Sequence, residues 1–299
     1  MPDPHPRTIL VTGAGRGLGF ATALRLASAG HRLVLTARDG AKAQALAQRL
    51  AIERPGSQVT THALELLSLA SVRELAARRC EEGTPIDVLV HNAGMLFPPA
   101  TRTLTADGLE VCLQAHAIAP LVLTRALLPV LSRPSRVWGL GSSLHRPGSR
   151  GVAVDFRRDD PQLDTRYHPE RAYKNSKLAL VWVARELERR LAPRRIHADV
   201  VCPGFVPTTA AAGAPTAGMR FVLRRILSLM PFATSVDEST EGLARLFGRT
   251  PLAEPGGRYF EHFTAVEPSE QARDDELAAW FWRWACERAG LPERLEDEG

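Results

Sequence analysis

The sequence predicts an α/β fold, a doubly wound parallel sheet flanked by helices in a single domain that covers 1–299. Short β-rich runs alternate with helix-like segments along the whole chain, and strands separated by helices pair in parallel through right-handed crossovers. A chain of 299 residues, 44% of them hydrophobic, can bury one substantial core, and no repeat or long linker divides it. The strand-like runs are 8–12, 32–37, 58–64, 86–91, 135–141 and 196–202.

The first strand leads directly into a glycine-rich turn. The run that ends at Val11 is followed by this turn and then by an apolar-periodic helical segment from Phe20 to Ala29. Backbone N–H groups of such a turn and of the helix N-terminus can receive a pyrophosphate, although a tight turn alone would also need glycines. Because strand and helix are both present, the turn predicts a dinucleotide site. Its predicted cofactor contacts are Gly13, Gly15, Arg16, Gly17, Leu18 and Gly19.

The end of the second strand predicts which cofactor binds. In dinucleotide sites of this kind a carboxylate there binds the ribose 2′-hydroxyl of NAD, whereas an arginine accommodates the 2′-phosphate of NADP. Ala37 and then Arg38 occupy this place, and Arg16 can add a second positive charge. Asp39 could instead be the acid of an NAD site, but it is better explained as the N-cap of the next helix. NADP(H) is therefore predicted, with NAD(H) as the weaker alternative.

A tyrosine and a lysine lie four residues apart in a segment of helical character. Residues at i and i+4 share one helix face, so the ammonium of Lys177 can lie beside the phenol of Tyr173. That placement would favour the phenolate and lower the tyrosine pKa from its usual ~10. Taken alone, the spacing also fits a solvated amphipathic face. In a chain with a dinucleotide site, it predicts that Tyr173 donates and accepts a proton near neutral pH.

Several motifs occur in the order that one enzyme family uses. They are the glycine turn from Thr12 to Gly19, Asn92-Ala93-Gly94, Ser142-Ser143, Tyr173 with Lys177, and the run from Pro203 to Thr208. In this respect the chain resembles a short-chain dehydrogenase/reductase from about Arg7 to Leu291. The resemblance implies a Rossmann-type fold and hydride transfer between NADP(H) and a carbonyl or alcohol carbon.

The same resemblance assigns roles to particular residues. Ser143, the second serine of its pair, would donate to the substrate carbonyl oxygen and stabilise negative charge there. Tyr173 would give the proton, and Lys177 would also hold the nicotinamide ribose. Glu65-Leu66 takes the place of the Asp-Leu pair that lies near the adenine. The further cofactor contacts implied by the motifs are Asn92, Ala93, Gly94, Pro203, Gly204, Val206 and Thr208.

Within this family the chain resembles the retinol-dehydrogenase-like and protochlorophyllide-reductase-like branch. The features that indicate it are Gly256-Gly257-Arg258-Tyr259-Phe260, Ala272-Arg273-Asp274, and the long separation between Ser143 and Tyr173. Two alternatives to carbonyl chemistry stay open. One is reduction of a C=C bond, and the other is a catalytically impaired, cofactor-bound sensor or scaffold, against which the intact Ser143, Tyr173 and Lys177 argue.

One position departs from the family pattern. Many members carry an asparagine in the central helix that holds a water and connects the catalytic lysine to solvent. Counting back from Leu121 places His116 at this position. Three interpretations stay open: the histidine replaces asparagine in a catalytic proton relay, it is a core residue with satisfied hydrogen bonds, or it impairs the site.

Two stretches fall outside the alternating pattern. Residues 146–169 are polar and rich in Arg, Asp, Pro and Gly, which indicates an excursion before the Tyr173 helix. Residues 219–230 have the spacing of an amphipathic helix. This helix either packs on the core or belongs to a substrate lid at 205–234 whose apolar face closes over the nicotinamide, since relatives carry their substrate loop here. The apolar residues in 205–232 suggest a hydrophobic substrate. A capping box from Ser235 to Glu238 predicts the start of the next helix.

Composition narrows the partners and the location. The net charge is +5, but the arginines are scattered without interleaved aromatics, so no nucleic-acid partner is expected. The four cysteines lack metal spacing, and neither a leader nor an apolar run of ~18 residues is present. We expect a cytoplasmic protein without a metal and with at most peripheral membrane contact. The resemblance adds a homodimer through the Tyr173 helix, with Val181, Trp182 and Leu187 at the interface rather than in the core, although the longer C-terminal region could instead favour a monomer.

Overall fold

The computed structural model describes residues 6–149, 151–210, 214, 216–226, 229–230 and 233–295. At its centre is an eight-stranded sheet with the order β3-β2-β1-β4-β5-β6-β7-β8. Neighbouring strands pair in parallel up to β7, and β8 closes the edge in antiparallel pairing. The strands are β1 Thr8–Val11, β2 Arg32–Ala37, β3 Val59–Ala63, β4 Ile86–His91, β5 Leu131–Leu140, β6 Ile196–Cys202, β7 Tyr259–Glu261 and β8 Thr264–Val266.

Helices cover both faces of this sheet. They are α1 Gly17–Ser28, α2 Gly40–Glu53, α3 Leu69–Glu82, α4 Val111–Leu113, α5 Ala119–Ala126, α6 Pro169–Leu191, α7 Pro207–Ala210, α8 Ala217–Arg225, α9 Val236–Arg249, α10 Glu270–Arg273 and α11 Asp275–Arg288. Ile9 and Val11 pack with α1, α2 and α9, whereas Leu10 between them packs with α3, α5, α6 and α11. Successive strand side chains point to opposite faces, so one sheet supplies both cores. The predicted doubly wound, single-domain α/β fold is confirmed.

The strand order reverses between β1 and β4. From β1 the chain first builds outward to β2 and β3, and then returns to the other side of β1 for β4, β5 and β6. The carboxyl ends of β1 and β4 therefore meet at a topological switch point, where open α/β sheets bind their ligands. The glycine turn after Val11 and the loop that starts at Asn92 both lie at this edge.

The structure differs from the predicted strands mainly at β5 and at the C-terminal edge. The run predicted at 135–141 overlaps a longer strand, Leu131–Leu140. The start of this strand was not recognised because Pro134 and its polar neighbours are untypical of a strand. β7 and β8 were missed because each has only 3 residues, too few to show an alternating pattern.

The C-terminal segment covers the part of α6 that was expected to form a dimer interface. Trp182 is fully buried, lies against Phe281 with ring centroids 5.8 Å apart, and donates its indole N–H to the Gln271 carbonyl oxygen at 2.9 Å. Val181 and Leu187 are each 2% exposed. The assignment of these residues to an interface was wrong, because α11 of the same chain occupies the place given to a partner.

The lid region contains two helices where the sequence predicts one. α7 follows β6 closely, and α8 ends at Arg225, before the end of the predicted helix at 219–230, of which 227 and 228 lie outside the described residues. Ser235 caps α9 as predicted, because its Oγ accepts the N–H of Glu238 at 3.1 Å. In the part of the chain that the structure describes, every helix is too short or too polar to cross a bilayer.

Candidate active site

Helix α1 begins at the glycine turn without a side-chain cap. Its N-cap residue, Arg16, is extended, and its side chain makes no capping hydrogen bond to the first turn. By contrast, side chains cap the N-termini of α2, α3, α6 and α9. The first N–H groups of α1 have no acceptor within the helix and carry the positive end of its dipole. This is the arrangement that receives a phosphate.

Glycines let the loops after β1 and β4 approach closely. Gly13 has a φ of +68°, and a Cβ added to it would lie 2.7 Å from the Cβ of Ala93. A Cβ on Gly19 would collide with the side-chain amide of Asn92. Thr12 ties the two loops together, because its Oγ1 accepts the N–H groups of Asn92 and Ala93 at 3.0 Å each. The predicted glycine and Asn-Ala-Gly motifs thus form one continuous surface.

The end of β2 presents a cation rather than an acid. Ala37 is buried, whereas Arg38 is exposed. Asp39 caps α2: its Oδ1 accepts the Lys42 N–H at 2.9 Å, and its carboxylate pairs with the Lys42 ammonium. The Lys42 side-chain hydrogen bond is the largest cause of the lowered pKa of Asp39. The predicted N-cap is confirmed, so the acid of the alternative NAD site is engaged in helix capping.

One turn of α6 holds the predicted Tyr–Lys pair at the carboxyl end of β5. Lys177 is 7% exposed, and its Nζ donates to the Leu140 carbonyl oxygen at 2.8 Å. The same Nζ lies 5.7 Å from the centroid of the Tyr173 ring. Among the described residues no carboxylate pairs with Lys177, and burial lowers its pKa to about 8.

The pKa of Tyr173 moves opposite to the sequence-based expectation. Burial raises it to about 12, and a side-chain hydrogen bond from Ser142 opposes that rise. The predicted net lowering of this pKa is wrong for this structure, because desolvation of the phenolate is the largest effect and the Lys177 ammonium, 5.7 Å from the ring centroid and directed at the Leu140 carbonyl oxygen, does not outweigh it. Tyr173 is therefore held as a neutral phenol, the form that donates a proton.

The two adjacent serines have different surroundings. Ser142 is the N-cap of a single 3-10 turn, Ser143–His145; its Oγ accepts the Leu144 N–H at 3.3 Å, and its side chain reaches Tyr173. The backbone N–H of Ser143 donates to the Cys202 Sγ at 3.3 Å. Its half-buried hydroxyl forms no hydrogen bond with the residues that the structure describes. Ser142 thus contacts Tyr173, whereas the Ser143 hydroxyl can donate to a ligand.

His116 lies in a π-helical segment, Gln114–Ile118, between α4 and α5. The Met95 N–H donates to its Nε2 at 3.0 Å, so the proton of a neutral imidazole must be on Nδ1. Nδ1 lies 2.7 Å from the Ser176 Oγ, and the Ser176 hydroxyl donates to the Tyr173 carbonyl oxygen at 2.7 Å. His116 therefore connects the loop after β4 to the α6 turn that carries Tyr173.

Both ring nitrogens of His116 are used in these contacts. Burial first, and then the charge of Lys177, hold the pKa of His116 well below its usual value. The loop is built around this ring, because a Cβ on Gly94 would lie 2.6 Å from Nε2. Of the three interpretations, the geometry favours a core residue with satisfied hydrogen bonds over a proton relay.

An apolar cluster joins the loop after β4 to the segment 205–234 that was predicted as a lid. Ala214 and Leu223 are buried, and Phe97 and Phe205 pack against them. Phe205 also pairs with the far end of the lid, since its carbonyl oxygen accepts the Thr234 N–H at 2.8 Å. Among the α8 side chains that the structure describes, Leu223 is the one that is buried. The large apolar residues of this region that remain exposed are Met219, Phe221, Val222, Ile226, Leu229 and Met230.

The remaining predicted cofactor residues lie along the same edge of the sheet. Gly15 is in the turn after β1, and Gly17 and Leu18 begin α1. Leu66 is buried after β3, and its carbonyl oxygen accepts the Gln114 side-chain amide at 3.0 Å. The residues that follow β6 are Pro203, Gly204 and Val206, with Thr208 inside α7.

Three residues of this site were absent from the sequence-based set. Thr12 and Ser142 each precede a predicted residue in a recognised motif, so their positions alone could have indicated them. Ser176 lies between Tyr173 and Lys177, but its link to His116 joins residues 60 positions apart, which no local pattern reveals.

These features define a Rossmann-like protein with the parts of a dinucleotide-dependent oxidoreductase, and comparisons with known proteins agree. Residues 7–139 match the family described as short chain dehydrogenase. Human retinol dehydrogenase 13 is 34% identical over 292 residues, which cover 95% of this chain and 85% of that protein. The chain belongs to the short-chain dehydrogenase family, and the resemblance inferred from its motifs is confirmed.

Solved structures show the same fold. An uncharacterized protein from Mycobacterium Paratuberculosis superposes with a TM-score of 0.74 at 27% identity, covering 97% of this chain and 96% of that one. The RhlG/NADP active-site complex of Pseudomonas aeruginosa gives a TM-score of 0.66 at 26% identity, covering 87% of this chain and 97% of that one.

Proposed function

We propose that this protein is an NADP(H)-dependent oxidoreductase that acts on a carbonyl or alcohol group of an apolar small molecule. The observation that carries the proposal is the placement of half-buried Tyr173 and buried Lys177 on one turn of α6, at the same sheet edge as the N-terminus of α1, which has no side-chain cap. A proton donor beside a dinucleotide site is what carbonyl reduction requires.

The residues at the sheet edge fit a phosphorylated dinucleotide. The α1 N-terminus and the loops around Gly13 would hold the pyrophosphate, and Lys177 would hold the nicotinamide ribose. Arg38 and Arg16 would bind the 2′-phosphate, since Ala37 supplies no opposing acid. The NADP complex of the Pseudomonas aeruginosa relative supports this choice.

NADP(H) supplies the hydride, and the chain supplies orientation and the proton. In the reductive direction Ser143 and Tyr173 would bind the carbonyl oxygen, and Tyr173 Oη would donate its proton as negative charge develops there. Lys177 would stabilise the resulting phenolate. Its lowered pKa lets it also pass a proton onward near neutral pH.

The apolar side chains between the loop after β4 and the proposed lid support an apolar substrate. Phe97, Phe205 and Leu223 form a contiguous apolar surface between the β4 loop and the lid. The name of the human relative, retinol dehydrogenase 13, points to a similar chemical class. We propose that 205–234 is a substrate lid whose inward face carries Leu223.

The test combines binding with product analysis. NADPH and NADH are titrated against the purified protein, which is then screened with aldehydes, ketones and retinoid-like carbonyl compounds. With 4-deuterated NADPH, the proposal predicts deuterium on the carbinol carbon. Deuterium on a former C=C carbon would instead identify a double-bond reductase. Tight NADPH binding without turnover of any compound would identify a cofactor-bound sensor or scaffold.

A further inference from the structure

An ion pair connects the ends of β2 and β3 at the edge of the nucleotide site. Arg38 Nε lies 3.5 Å from Glu65 Oε2, with side chains 69% and 37% exposed. The other carboxylate oxygen, Oε1, accepts the Leu67 N–H at 3.0 Å. The Leu67 N–H thus orients the Glu65 carboxylate, which pairs with the Nε side of the Arg38 guanidinium. Most of the arginine side chain remains exposed.

This geometry leaves the phosphate-binding nitrogens of Arg38 available. A guanidinium presents its N–H groups as a planar fork, so contact through Nε leaves the terminal nitrogens for paired hydrogen bonds to a phosphate. An exposed arginine without a partner samples many rotamers, and a ligand must immobilise it on binding. The contact with Glu65 removes part of that freedom before a ligand arrives.

The resemblance to the family assigned Glu65 to the adenine, but its contacts indicate another role. One carboxylate oxygen accepts the Leu67 N–H, and the other forms an ion pair with Arg38 Nε at 3.5 Å. An aspartate, the family's residue here, is one methylene shorter, so its carboxylate would lie further from the guanidinium. Glutamate therefore supplies the reach that this contact uses.

We propose that Glu65 is a positioning residue that orients Arg38 for the 2′-phosphate and thereby favours NADP(H) over NAD(H). This inference rests on the proposed NADP(H) dependence. Glu65 also carries a negative charge, which opposes a phosphate nearby. The two effects have opposite signs, so removing the carboxylate distinguishes positioning from charge repulsion.

The experiment measures dissociation constants of NADPH and NADH for the wild type, Glu65→Ala, Arg38→Ala and the double variant. Glu65→Ala is expected to weaken NADPH ~3- to 10-fold and to leave NADH within about twofold, since NADH lacks the 2′-phosphate. Arg38→Ala is expected to weaken NADPH ~10- to 100-fold. In the Arg38→Ala background, loss of Glu65 should have no further effect, because positioning acts through the arginine.

Glu53→Ala is the matched control. Glu53 pairs with Arg49 at 2.8 Å on α2, and the two side chains are 35% and 54% exposed, so the variant makes the same charge change at a similar surface pair. It should leave both affinities unchanged.

Three results would overturn the positioning role while NADP(H) dependence stands: unchanged or tighter NADPH binding in Glu65→Ala, an equal loss for NADH, or a loss that persists without Arg38. Preference of the wild type for NADH would overturn the proposed cofactor and the positioning role together.

Discussion

Lys174 and Lys177 lie three residues apart on α6 and are both buried, but their surroundings differ. Lys174 is fully buried, its Nζ lies 3.0 Å from Glu170 Oε1, and it donates to the Val152 carbonyl oxygen at 2.9 Å. Lys177 donates to the Leu140 carbonyl oxygen, and no carboxylate among the described residues pairs with it. Burial lowers the pKa of Lys177 to about 8.

The difference shows that burial alone does not decide what a lysine does. With a carboxylate beside it, Lys174 holds the excursion after β5 against α6, a role that Asn175 shares through paired hydrogen bonds with the Asp155 backbone at 2.9 and 3.1 Å. Without a carboxylate, Lys177 retains a charge that the protein solvates poorly. Functional sites often keep such residues at a cost in stability.

The largest expected difference between the two lysines is in turnover. Lys177→Met should lower kcat by ~100- to 10,000-fold, because it removes the group that we propose stabilises the Tyr173 phenolate. Lys174→Met should stay within about tenfold of the wild type, since Lys174 contacts the excursion rather than the reacting atoms. Steady-state kinetics with NADPH and the best carbonyl compound from the screen provide the measurement. Equal losses of kcat in the two variants would show that the two lysines do not differ in their contribution to turnover.

The second difference is in the sign of the stability change. At pH 7 Lys177→Met should raise the free energy of unfolding by up to about 3 kcal/mol, since burial shifts the lysine pKa from 10.5 to about 8 and each unit corresponds to ~1.4 kcal/mol. Lys174→Met should lower it by about 1–3 kcal/mol, because Glu170 and the Val152 carbonyl lose their partner. Urea denaturation of both variants tests this, and changes of the same sign would contradict the account.

The stability difference should also depend on pH. The pKa of Lys177 is about 8 in the folded protein and 10.5 in its ordinary state, so between these values the unfolded chain binds more protons. The free energy of unfolding of the wild type, relative to Lys177→Met, should therefore rise from pH 8 to pH 10. Denaturation curves at several pH values follow this difference; a constant gap would show that Lys177 does not titrate in this range.

The smallest expected effect on turnover concerns His116. His116→Asn should change kcat less than about tenfold but lower the free energy of unfolding by about 1–3 kcal/mol, because Met95 and Ser176 lose their partner. Tyr173→Phe should lower kcat far more, since it removes the hydroxyl that we propose as the proton donor. A ~100-fold loss of kcat in His116→Asn with unchanged stability would support the proton relay instead. A kcat above that of the wild type would show that histidine at this position lowers activity.

How far the sequence predicts this molecule depends on the range of the contacts. The strands, the glycine turn and the spacing of Tyr173 and Lys177 are local patterns, and the structure brings them to one sheet edge as expected. The direction of the Tyr173 pKa shift was missed because desolvation depends on everything packed around the phenol. The roles of Trp182 and His116 likewise depend on segments far away in the chain, the C-terminal helix and the α6 turn.

The central claim is that Lys177, which has no carboxylate partner among the described residues, has a pKa that burial lowers to about 8, whereas the Lys174 ammonium is paired with Glu170. The most direct test is an NMR titration of the protein with ¹³Cε-labelled lysine, in which Lys177→Met identifies the Lys177 signal. The account predicts a midpoint for Lys177 of about 8. A midpoint near the ordinary lysine value of ~10.4 would contradict it.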